Sequence, residues 1–326
     1  ILSDRFLEGA QEFDVDAVAD GQIVMIGGIM QHIEHAGVHS GDSACVLPPH
    51  SITPENLETI VNQTREMAIA LNVVGLMNVQ YAIHDEEVYV LEVNPRASRT
   101  VPFVSKATGR PLAKIAARVM SGQSLQEQGY TQEAVEVDHV SVKEAVLPFN
   151  KFAGADGLLG PEMKSTGEVM GIGATFGEAF LKAQLGAGSM LPSAGKVFVS
   201  VNDRDKEGVV DVARRLTQAG FELVATGGTQ SYLARHGIQA ERILKIHEGR
   251  PHVEDAIRSR DICLVINSPQ DEQSQHDDAY VRRSAILHGV PYTTTLSGAV
   301  AAATGIEALQ VSPPQPRALQ DYHRVG

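Results

Sequence analysis

One run of sequence decides the fold of the first half of the chain: NVQYAIHDEEVYVLEVNPR, residues 78–96. Two stretches rich in β-branched and aromatic residues flank the polar residues 84–87, a pattern that predicts a β-hairpin. With Glu86 at the centre of the turn, antiparallel pairing places Gln80 opposite Glu92. The run therefore predicts two strands whose partners can be named residue by residue.

The predicted hairpin sorts its side chains onto two faces, because side chains alternate along a strand. The polar set on one face is Asn78, Gln80, Glu92 and Asn94. The apolar set on the other face is Met77, Val79, Tyr81, Leu91 and Val93. One face is expected to join the core and the other to form a site.

The polar face has the chemistry of a divalent metal site. Carboxylate and carboxamide oxygens suit Mg²⁺ or Mn²⁺, so the predicted ligands are Gln80, Glu92 and Asn94. An ordinary solvated sheet face is the alternative. Arg96 and Arg99 follow the second strand directly and favour a site, because phosphoryl groups in transfer need cationic support.

Composition bounds the function further. The chain has 326 residues, enough for two domains with their own cores, and 43% of them are hydrophobic. No apolar run approaches the ~20 residues that cross a bilayer. A net charge of −13 argues against a nucleic-acid surface. Two distant cysteines and the absence of a signal sequence predict a cytoplasmic protein, and the missing initiator methionine suggests part of a longer chain.

Longer motifs carry a family resemblance. Residues 91–96, LEVNPR, resemble the metal-binding strand of ATP-grasp ligases. Residues 92–109 and 159–170 resemble the large subunit of the carbamoyl phosphate synthetase family, and the likeness covers nearly the whole chain. It implies an α/β and α+β protein: the carboxy-terminal lobe of an ATP-grasp unit, an antiparallel sheet with helices, followed by a methylglyoxal-synthase-like domain.

The resemblance also implies an ATP site with Mg²⁺ or Mn²⁺ and a K⁺ ion. Arg5 and Leu7 would contact the base, Glu12 the ribose, and the loop at residues 37–40 the phosphates and the K⁺ ion. The loop residues are Gly37, Val38, His39 and Ser40.

Two other interpretations of this region stay open. The acids of residues 12–16 alternate on one side of a predicted strand, which is usually a solvated face. Zinc at His32, His35 and His39 is the second, but no cysteine supports it and Gly37 weakens a helix that would align the three rings.

The second half changes to repeated strand-then-helix units, which predict a five-stranded parallel sheet. Such sheets bind ligands at the carboxyl ends of their strands. Thr226-Gly-Gly-Thr229 lies at one such end and offers backbone N–H groups and hydroxyls to an anion, although turns before helices also use these residues as caps. A phosphate pocket is predicted there.

By resemblance, this half is an allosteric domain for uridine or inosine monophosphate, or for N-acetylglutamate in urea-cycle relatives. The implied phosphate-binding set is Ser200, Lys206, Thr226, Thr229, Lys245 and Asn267. The implied set for an amino-acid effector such as ornithine is Glu34, Asp42, Glu144, Tyr292 and Thr294.

The expected limits are residues 1–187 for the ATP-grasp part, 188–195 for a linker and 196–326 for the allosteric domain. The resemblance implies MgATP-dependent phosphorylation of carbamate to carbamoyl phosphate for arginine and pyrimidine biosynthesis, with Arg96 and Arg99 as catalytic residues, a glutamine amidotransferase small subunit and an oligomer. An effector-binding module without catalysis is the alternative for the isolated chain. A methylglyoxal synthase is disfavoured because Ala225 stands where an acid is expected, and a biotin-dependent carboxylase because of the second domain.

Overall fold

The computed structural model of the chain describes residues 7, 9–130, 137–151, 157–268 and 272–323. Contacts divide it into two compact units. Unit 1 comprises Ile1–Glu144, Ile172–Thr175 and Gln315–Gly326, and unit 2 comprises Ala145–Gly171 and Phe176–Pro314. This division does not coincide with the predicted linker at 188–195, so the domain limits stay a prediction.

The main element of unit 1 is a seven-stranded sheet. Two of the boundaries between the units fall within its last two strands, β6 and β7. The strands are β1 (Gln11–Asp20), β2 (Val24–His35), β3 (Cys45–Leu47), β4 (Val74–His84), β5 (Glu87–Asn94), β6 (Val140–Val146) and β7 (Gly167–Gly173). Its helices are α1 (Pro54–Ala70), α2 (Val101–Thr108) and α3 (Leu112–Met120). The strand order is β5-β4-β1-β2-β3-β6-β7, and the pairs from β5 to β6 are antiparallel.

Helix α1 covers one face of this sheet. It begins after Thr53, whose hydroxyl accepts a hydrogen bond from the Asn56 N–H group at 3.2 Å and so caps the helix. Its residue Ile60 packs with Phe13 and Val15 of β1 in one buried cluster. The alternation along β1 therefore has one set of side chains in the core and leaves the acids on the other face.

Helices α2 and α3 pack on that other face. A Cβ atom at Gly27 would lie 2.6 Å from Leu112 of α3, and one at Gly28 would lie 2.7 Å from Val104 of α2. Glycine at both positions thus permits the close approach of these helices to the sheet.

Unit 2 contains a five-stranded parallel sheet with the strand order β10-β9-β8-β11-β12. The strands are β8 (Lys196–Ser200), β9 (Glu222–Ala225), β10 (Glu241–Arg242), β11 (Ile262–Asn267) and β12 (Tyr292–Thr293). The helices are α4 (Phe176–Gly186), α5 (Lys206–Gln218), α6 (Gly227–Arg235), α7 (Val253–Arg258), α8 (Glu272–His288) and α9 (Leu296–Val311). The predicted fold class, an antiparallel sheet with helices followed by a five-stranded parallel sheet, is confirmed.

Helix α4 belongs to unit 2 because it packs closely on α9. A Cβ atom at Gly177 would lie 2.7 Å from the Thr304 carbonyl oxygen, and one at Gly305 would lie 3.2 Å from Phe180. Glycine at both contacts lets the two helices approach. This packing explains why contacts assign residues before the predicted linker to the second unit.

Among the described residues, no helix has the length and apolar content that a membrane span requires.

Candidate functional site

The hairpin of β4 and β5 has the predicted register at its site end. Gln80 lies opposite Glu92, and Asn78 lies opposite Asn94. The turn itself is tighter than predicted, with Asp85 at φ 50° and Glu86 at φ 64°. Both predicted cross-strand pairs are therefore confirmed, although the turn that connects them differs.

Leu91 is the residue that absorbs this difference. Tyr81 pairs with Val90 whereas Gln80 pairs with Glu92, so Leu91 is the extra residue of a β-bulge. Its expected place in the core is wrong, because its side chain is 46% exposed. Met77, Val79 and Tyr81 are buried and Val93 packs against them, as predicted.

Strand β1 adds two carboxylates to the polar face of the hairpin. Asp14 lies opposite Gln80, and Asp16 lies opposite Asn78. The sequence interpretation of these acids as a solvated face is wrong, since Asp14 is 1% and Asp16 is 0% exposed. The two acids alternate in sequence with Glu12, and this alternation would have predicted their position if the pairing of β1 with β4 had been known.

Asp16 anchors the segment that follows the hairpin. Its carboxylate accepts hydrogen bonds from Asn78 Nδ2 at 3.0 Å and from the hydroxyls of Ser98 and Thr100, each at 2.7 Å. Burial raises the pKa of Asp16 to about 6, against the opposing effect of these three donors. Arg99 lies between the two hydroxyl donors, so its backbone is held to β1.

Asp14 shares a histidine with Glu12. His32 of β2 places Nε2 at 2.8 Å from Asp14 Oδ2 and Nδ1 at 3.2 Å from Glu12 Oε2. Burial disfavours the carboxylate, but the hydrogen bond and the charge of His32 lower the pKa of Asp14. Burial likewise opposes a charged ring, yet Cys45, Asp14 and Glu12 together raise the pKa of His32 well above its ordinary value.

The predicted phosphate loop is tied to the same strands. Glu12 Oε1 accepts a hydrogen bond from the Gly37 N–H group at 3.1 Å. Lys143 of β6 is fully buried and donates to the Ser40 and Ser43 carbonyl oxygens at 3.2 and 2.7 Å. Residues 37–43 therefore have defined anchors on the sheet.

The remaining loop residues are Val38 and His39, both half-buried. His39 Nδ1 accepts a hydrogen bond from the Gly41 N–H group at 3.0 Å. Since His32 is held by two carboxylates and His39 by a backbone group, the geometry gives no support to zinc. The described residues contain no group of three or more His, Cys, Asp or Glu side chains that could hold a metal.

Of the three predicted metal ligands, only Glu92 is a His, Cys, Asp or Glu residue, and the other two are carboxamides. Glu92 is exposed, and its Oε1 atom accepts a hydrogen bond from Asn94 Nδ2 at 2.7 Å. Gln80 lies directly across the strands from it. Hard oxygen donors at solvent, with neighbouring positions open to water or phosphate oxygens, fit Mg²⁺ or Mn²⁺.

The predicted catalytic arginines are both exposed. Arg96 donates to the Ala97 carbonyl oxygen at 3.1 Å, within its own turn. Of the two residues expected to contact the base, Leu7 is half-buried, and Arg5 lies outside the described residues. The roles of these side chains stay predictions.

In unit 2, the predicted phosphate-binding residues lie at the carboxyl edge of the parallel sheet. The Ser200 and Thr226 hydroxyls are 3.0 Å apart, and Thr229 Oγ1 accepts from the Val201 N–H group at 3.3 Å. Asn267 Nδ2 donates to Asp278 Oδ1 at 2.9 Å. The structure thus brings these residues to one edge, with several of their polar groups already paired inside the unit.

Two cations flank the amino terminus of α6. A Cβ atom at Gly228 would lie 3.7 Å from Lys206 Nζ, and one at Gly227 would lie 3.4 Å from Arg242 Nε. Lys206 also pairs with Asp203. Sequence reasoning missed Arg242, because the sequence predicts a strand at residues 242–245, whereas β10 ends at Arg242.

Two acids from α8 also line this edge, and sequence reasoning missed them. A cavity is lined by residues that include Lys245, His247, Asp277 and Asp278, and about 20 Å³ of it is open, room for one water. His247 Nδ1 pairs with Asp277 Oδ2. Burial raises the pKa of Asp278, although Asn267, Arg282 and Lys245 oppose this effect.

The amino-acid effector set falls in both units. Glu34, Asp42 and Glu144 belong to unit 1, and Tyr292 and Thr294 to unit 2. Glu34 Oε2 accepts from the Ala44 N–H group at 2.7 Å, and burial raises the pKa of Glu34. The Tyr292 hydroxyl donates to the Gly157 carbonyl oxygen at 3.4 Å. The predicted common site for these residues stays a prediction.

Family models match a segment in each half of the chain. Residues 1–128 match the family model "Carbamoyl-phosphate synthase L chain, ATP binding domain", and residues 208–294 match "MGS-like domain". The biotin carboxylase subunit of a pyruvate carboxylase superposes on 54% of this chain and 44% of its own, with 15% identity and a TM-score of 0.43.

Two curated relatives carry the same name, carbamoyl phosphate synthase large chain. The Synechocystis protein is 57% identical over 99% of this chain and 30% of its own length. A Methanosarcina barkeri protein is 53% identical over 99% of this chain and 81% of its own length. The chain spans about 30% of the length of the Synechocystis relative and of four others. Because a relative that is 53% identical is covered over 81% of its length, the chain belongs to the carbamoyl phosphate synthase large chain family.

Proposed function

We propose that unit 1 supplies the nucleotide- and metal-binding face of a glutamine-dependent carbamoyl phosphate synthase, an ATP-dependent ligase. The reaction is the transfer of the γ-phosphoryl group of MgATP to carbamate, which gives carbamoyl phosphate and ADP for arginine and pyrimidine biosynthesis. The observation that carries the proposal is the cross-strand pair of Gln80 and Glu92. Asp14 of the neighbouring strand β1 lies opposite Gln80 on its other side. Family membership supports it.

The residues divide the work of phosphoryl transfer between binding and charge stabilisation. Gln80, Glu92 and Asn94 would hold Mg²⁺ or Mn²⁺, which when bound neutralises charge on the phosphate oxygens. Arg96 and Arg99 would stabilise the phosphoryl group in transfer, with Arg99 anchored through the bonds of its neighbours to Asp16. Glu12 and the loop at 37–40 would hold ribose and phosphates, and a K⁺ ion is proposed at that loop.

Unit 2 is proposed as the effector domain. A nucleoside monophosphate would bind at the carboxyl edge of its sheet, and ornithine is a further candidate effector. A cytoplasmic oligomer with a glutamine amidotransferase small subunit completes the proposal. These assignments rest on the family and on the cationic groups at the start of α6.

The reverse reaction isolates the proposed site, since ATP formation from MgADP and carbamoyl phosphate needs no other chemistry. In the full-length protein, Glu92→Gln should lower this rate by about 10³-fold, because metal stabilisation is worth several kcal/mol. Glu87→Gln, at the other end of β5, should leave it within twofold. Mn²⁺ binding, followed by electron paramagnetic resonance, should weaken only in Glu92→Gln. Equal rates and equal Mn²⁺ binding in the two variants would refute the metal site.

A second candidate describes the isolated chain as an effector-binding module without turnover. Its support is the share of its relatives, about 30%, that the chain spans. Measuring ATP formation by this chain beside the full-length protein separates the two: activity of the short chain would exclude the module.

A further inference from the structure

His32 occupies an unusual position for a histidine, because it is buried between two carboxylates of one strand. The residue is 5% exposed, and its two ring nitrogens face different acids. Nε2 is 2.8 Å from Asp14 Oδ2, and Nδ1 is 3.2 Å from Glu12 Oε2. The two acids are separated by one residue of β1, so both belong to the same face of the sheet.

Each carboxylate leads to a different part of the proposed site. Glu12 Oε1 accepts from the Gly37 N–H group at 3.1 Å, which ties Glu12 to the phosphate loop. Asp14 lies opposite Gln80 on the neighbouring strand, and Gln80 in turn lies opposite Glu92. His32 thus contacts both carboxylates and connects the two parts of the proposed site.

We infer that His32 is a positioning residue, which fixes the Glu12 carboxylate toward the nucleotide ribose and the Asp14 carboxylate toward the metal-binding pair. The inference rests on the proposed function, since it assumes that Glu12 meets the ribose. It assigns a role to a residue for which the sequence offered only zinc binding.

The physical reason is compensation of buried charge. Two carboxylates that leave water need a cation or donors, or one of them takes up a proton. The Nε2 atom of His32 forms a hydrogen bond with Asp14, and its Nδ1 atom is in ion-pair contact with Glu12. Cys45, Asp14 and Glu12 raise the pKa of the ring well above its ordinary value despite burial, which favours the charged form. Lys143 and Glu34 lie near enough to influence the same cluster electrostatically, and neither is placed between the two acids as His32 is.

Two isosteres separate the branches of this contact. Asparagine places its amide near the position of Nδ1 and can keep the contact with Glu12, whereas glutamine reaches the position of Nε2 and can keep the hydrogen bond to Asp14. In the full-length protein, ATP formation from carbamoyl phosphate is measured with MgADP and with Mg-2′-deoxy-ADP. The wild type should prefer ADP by about tenfold in kcat/KM, the size of a hydrogen bond to a charged group.

The expected result is that His32→Gln loses this preference, with a raised KM for ADP, while His32→Asn keeps it. A histidine that only stabilised the fold would change both nucleotides and both variants alike. Equal loss of preference in the two variants, or preservation in both, would overturn the inference. His139→Gln is the matched control, because His139 is a buried histidine of unit 1 whose Nε2 contacts the Ala107 carbonyl oxygen at 2.8 Å.

Glu12→Gln distinguishes failure of the inference from failure of the proposed function. If Glu12→Gln keeps the preference for ADP, the ribose contact itself is wrong. If Glu12→Gln loses the preference and His32→Gln keeps it, the ribose contact stands and the role of His32 is refuted. Urea unfolding of each variant identifies any that do not fold, and His32→Asn then still tests the Glu12 branch.

Discussion

The two candidate sites of this chain differ in how complete they are. On the sheet face of unit 1, Asp14, Asp16 and Glu12 already have partners in the chain, and the groups left at solvent are those expected to meet metal and phosphate. At the carboxyl edge of unit 2, the open cavity is about 20 Å³, and the ammonium of Lys245 shares it with Asp278. The chain itself holds the polar residues of the first candidate site in place, whereas the nucleotide proposed for the second would need more room than this cavity has.

This difference follows from how the two sites are built. An antiparallel hairpin fixes its cross-strand neighbours by register, so the site on unit 1 is determined by a short run of sequence. The edge of a parallel sheet collects residues from several connections and from the helices that pack over them. A helix such as α8 can bring acids to this edge without any local sequence signal.

The largest expected effect tests whether the site of unit 1 is complete as it stands. Arg99→Ala in the full-length protein should lower ATP formation from carbamoyl phosphate by about 10³-fold, the scale of an arginine that stabilises a phosphoryl group. Arg99→Lys should recover little, because an ammonium lacks the planar fork. Arg118→Ala, an exposed arginine of α3, is the control and should leave the rate unchanged. A rate for Arg99→Ala within threefold of wild type would contradict the role.

The next effect tests whether burial of the carboxylates in unit 1 has a measurable cost. The pKa of Asp16 is raised from 3.8 to about 6 in the folded protein, so its contribution to stability is full below pH 3.8 and is lost as pH rises through about 6. The lost contribution is about 3 kcal/mol, and Asp16→Asn should remove this pH dependence. Urea unfolding between about pH 4 and pH 7 measures it.

Asp85→Asn provides the control for that measurement, since the Asp85 side chain is 88% exposed at the hairpin tip. It should retain the slope of the wild type. If Asp16→Asn retained that slope as well, the buried carboxylate would not be its source.

The third effect tests whether unit 2 must rearrange. Asp278→Asn should tighten binding of uridine or inosine monophosphate by about tenfold, because it removes a like charge beside the phosphate. Lys245→Ala should weaken binding by at least as much and abolish nucleotide control while leaving basal turnover intact. Calorimetric titration of the full-length protein measures both changes. Weaker binding by Asp278→Asn would show that the acid supports the ligand and would remove the contrast between the two sites.

A matched control for the charge change is Glu222→Gln. Glu222 begins β9, at the amino end of the sheet, away from the pocket edge. Its titration should match that of the wild type.

These contrasts also explain how far the sequence alone could lead. The pairing of Gln80 with Glu92 follows from period and register, and the structure confirms it. The bulge at Leu91 could not be predicted. The two-residue turn at Asp85 and Glu86 sets a register that differs by one residue from the pairing of Gln80 with Glu92, and the extra residue has no distinct sequence pattern. Burial of Asp14 likewise depends on a long-range neighbour, β4, that local alternation does not reveal.

The missed acids of unit 2 have a different cause. Residues 272–278 contain no apolar side chain, so helical periodicity is silent there, and the sequence predicts a helix from residue 280 only. The structure begins α8 at Glu272 and thereby brings Asp277 and Asp278 to the pocket. The position of the polar residues at the strand ends was predictable, but the two acids that lie beside them were not.

The smallest effect compares a partly exposed ion pair of unit 2 with the buried acid of unit 1. Arg215 of α5 donates to both carboxylate oxygens of Glu307 of α9, each at 2.7 Å, and this contact lowers the pKa of Glu307. Because Glu307 is 42% exposed, a double-mutant cycle of Arg215→Met and Glu307→Gln should give a coupling of only about 0.5–1 kcal/mol. The coupling should vanish as pH falls through the lowered pKa, the opposite direction to Asp16. A coupling free energy larger than the Asp16 effect would mean that solvent exposure does not determine how much a charged group contributes to the free energy of unfolding. The contrast between a buried and an open site would then lose its physical basis.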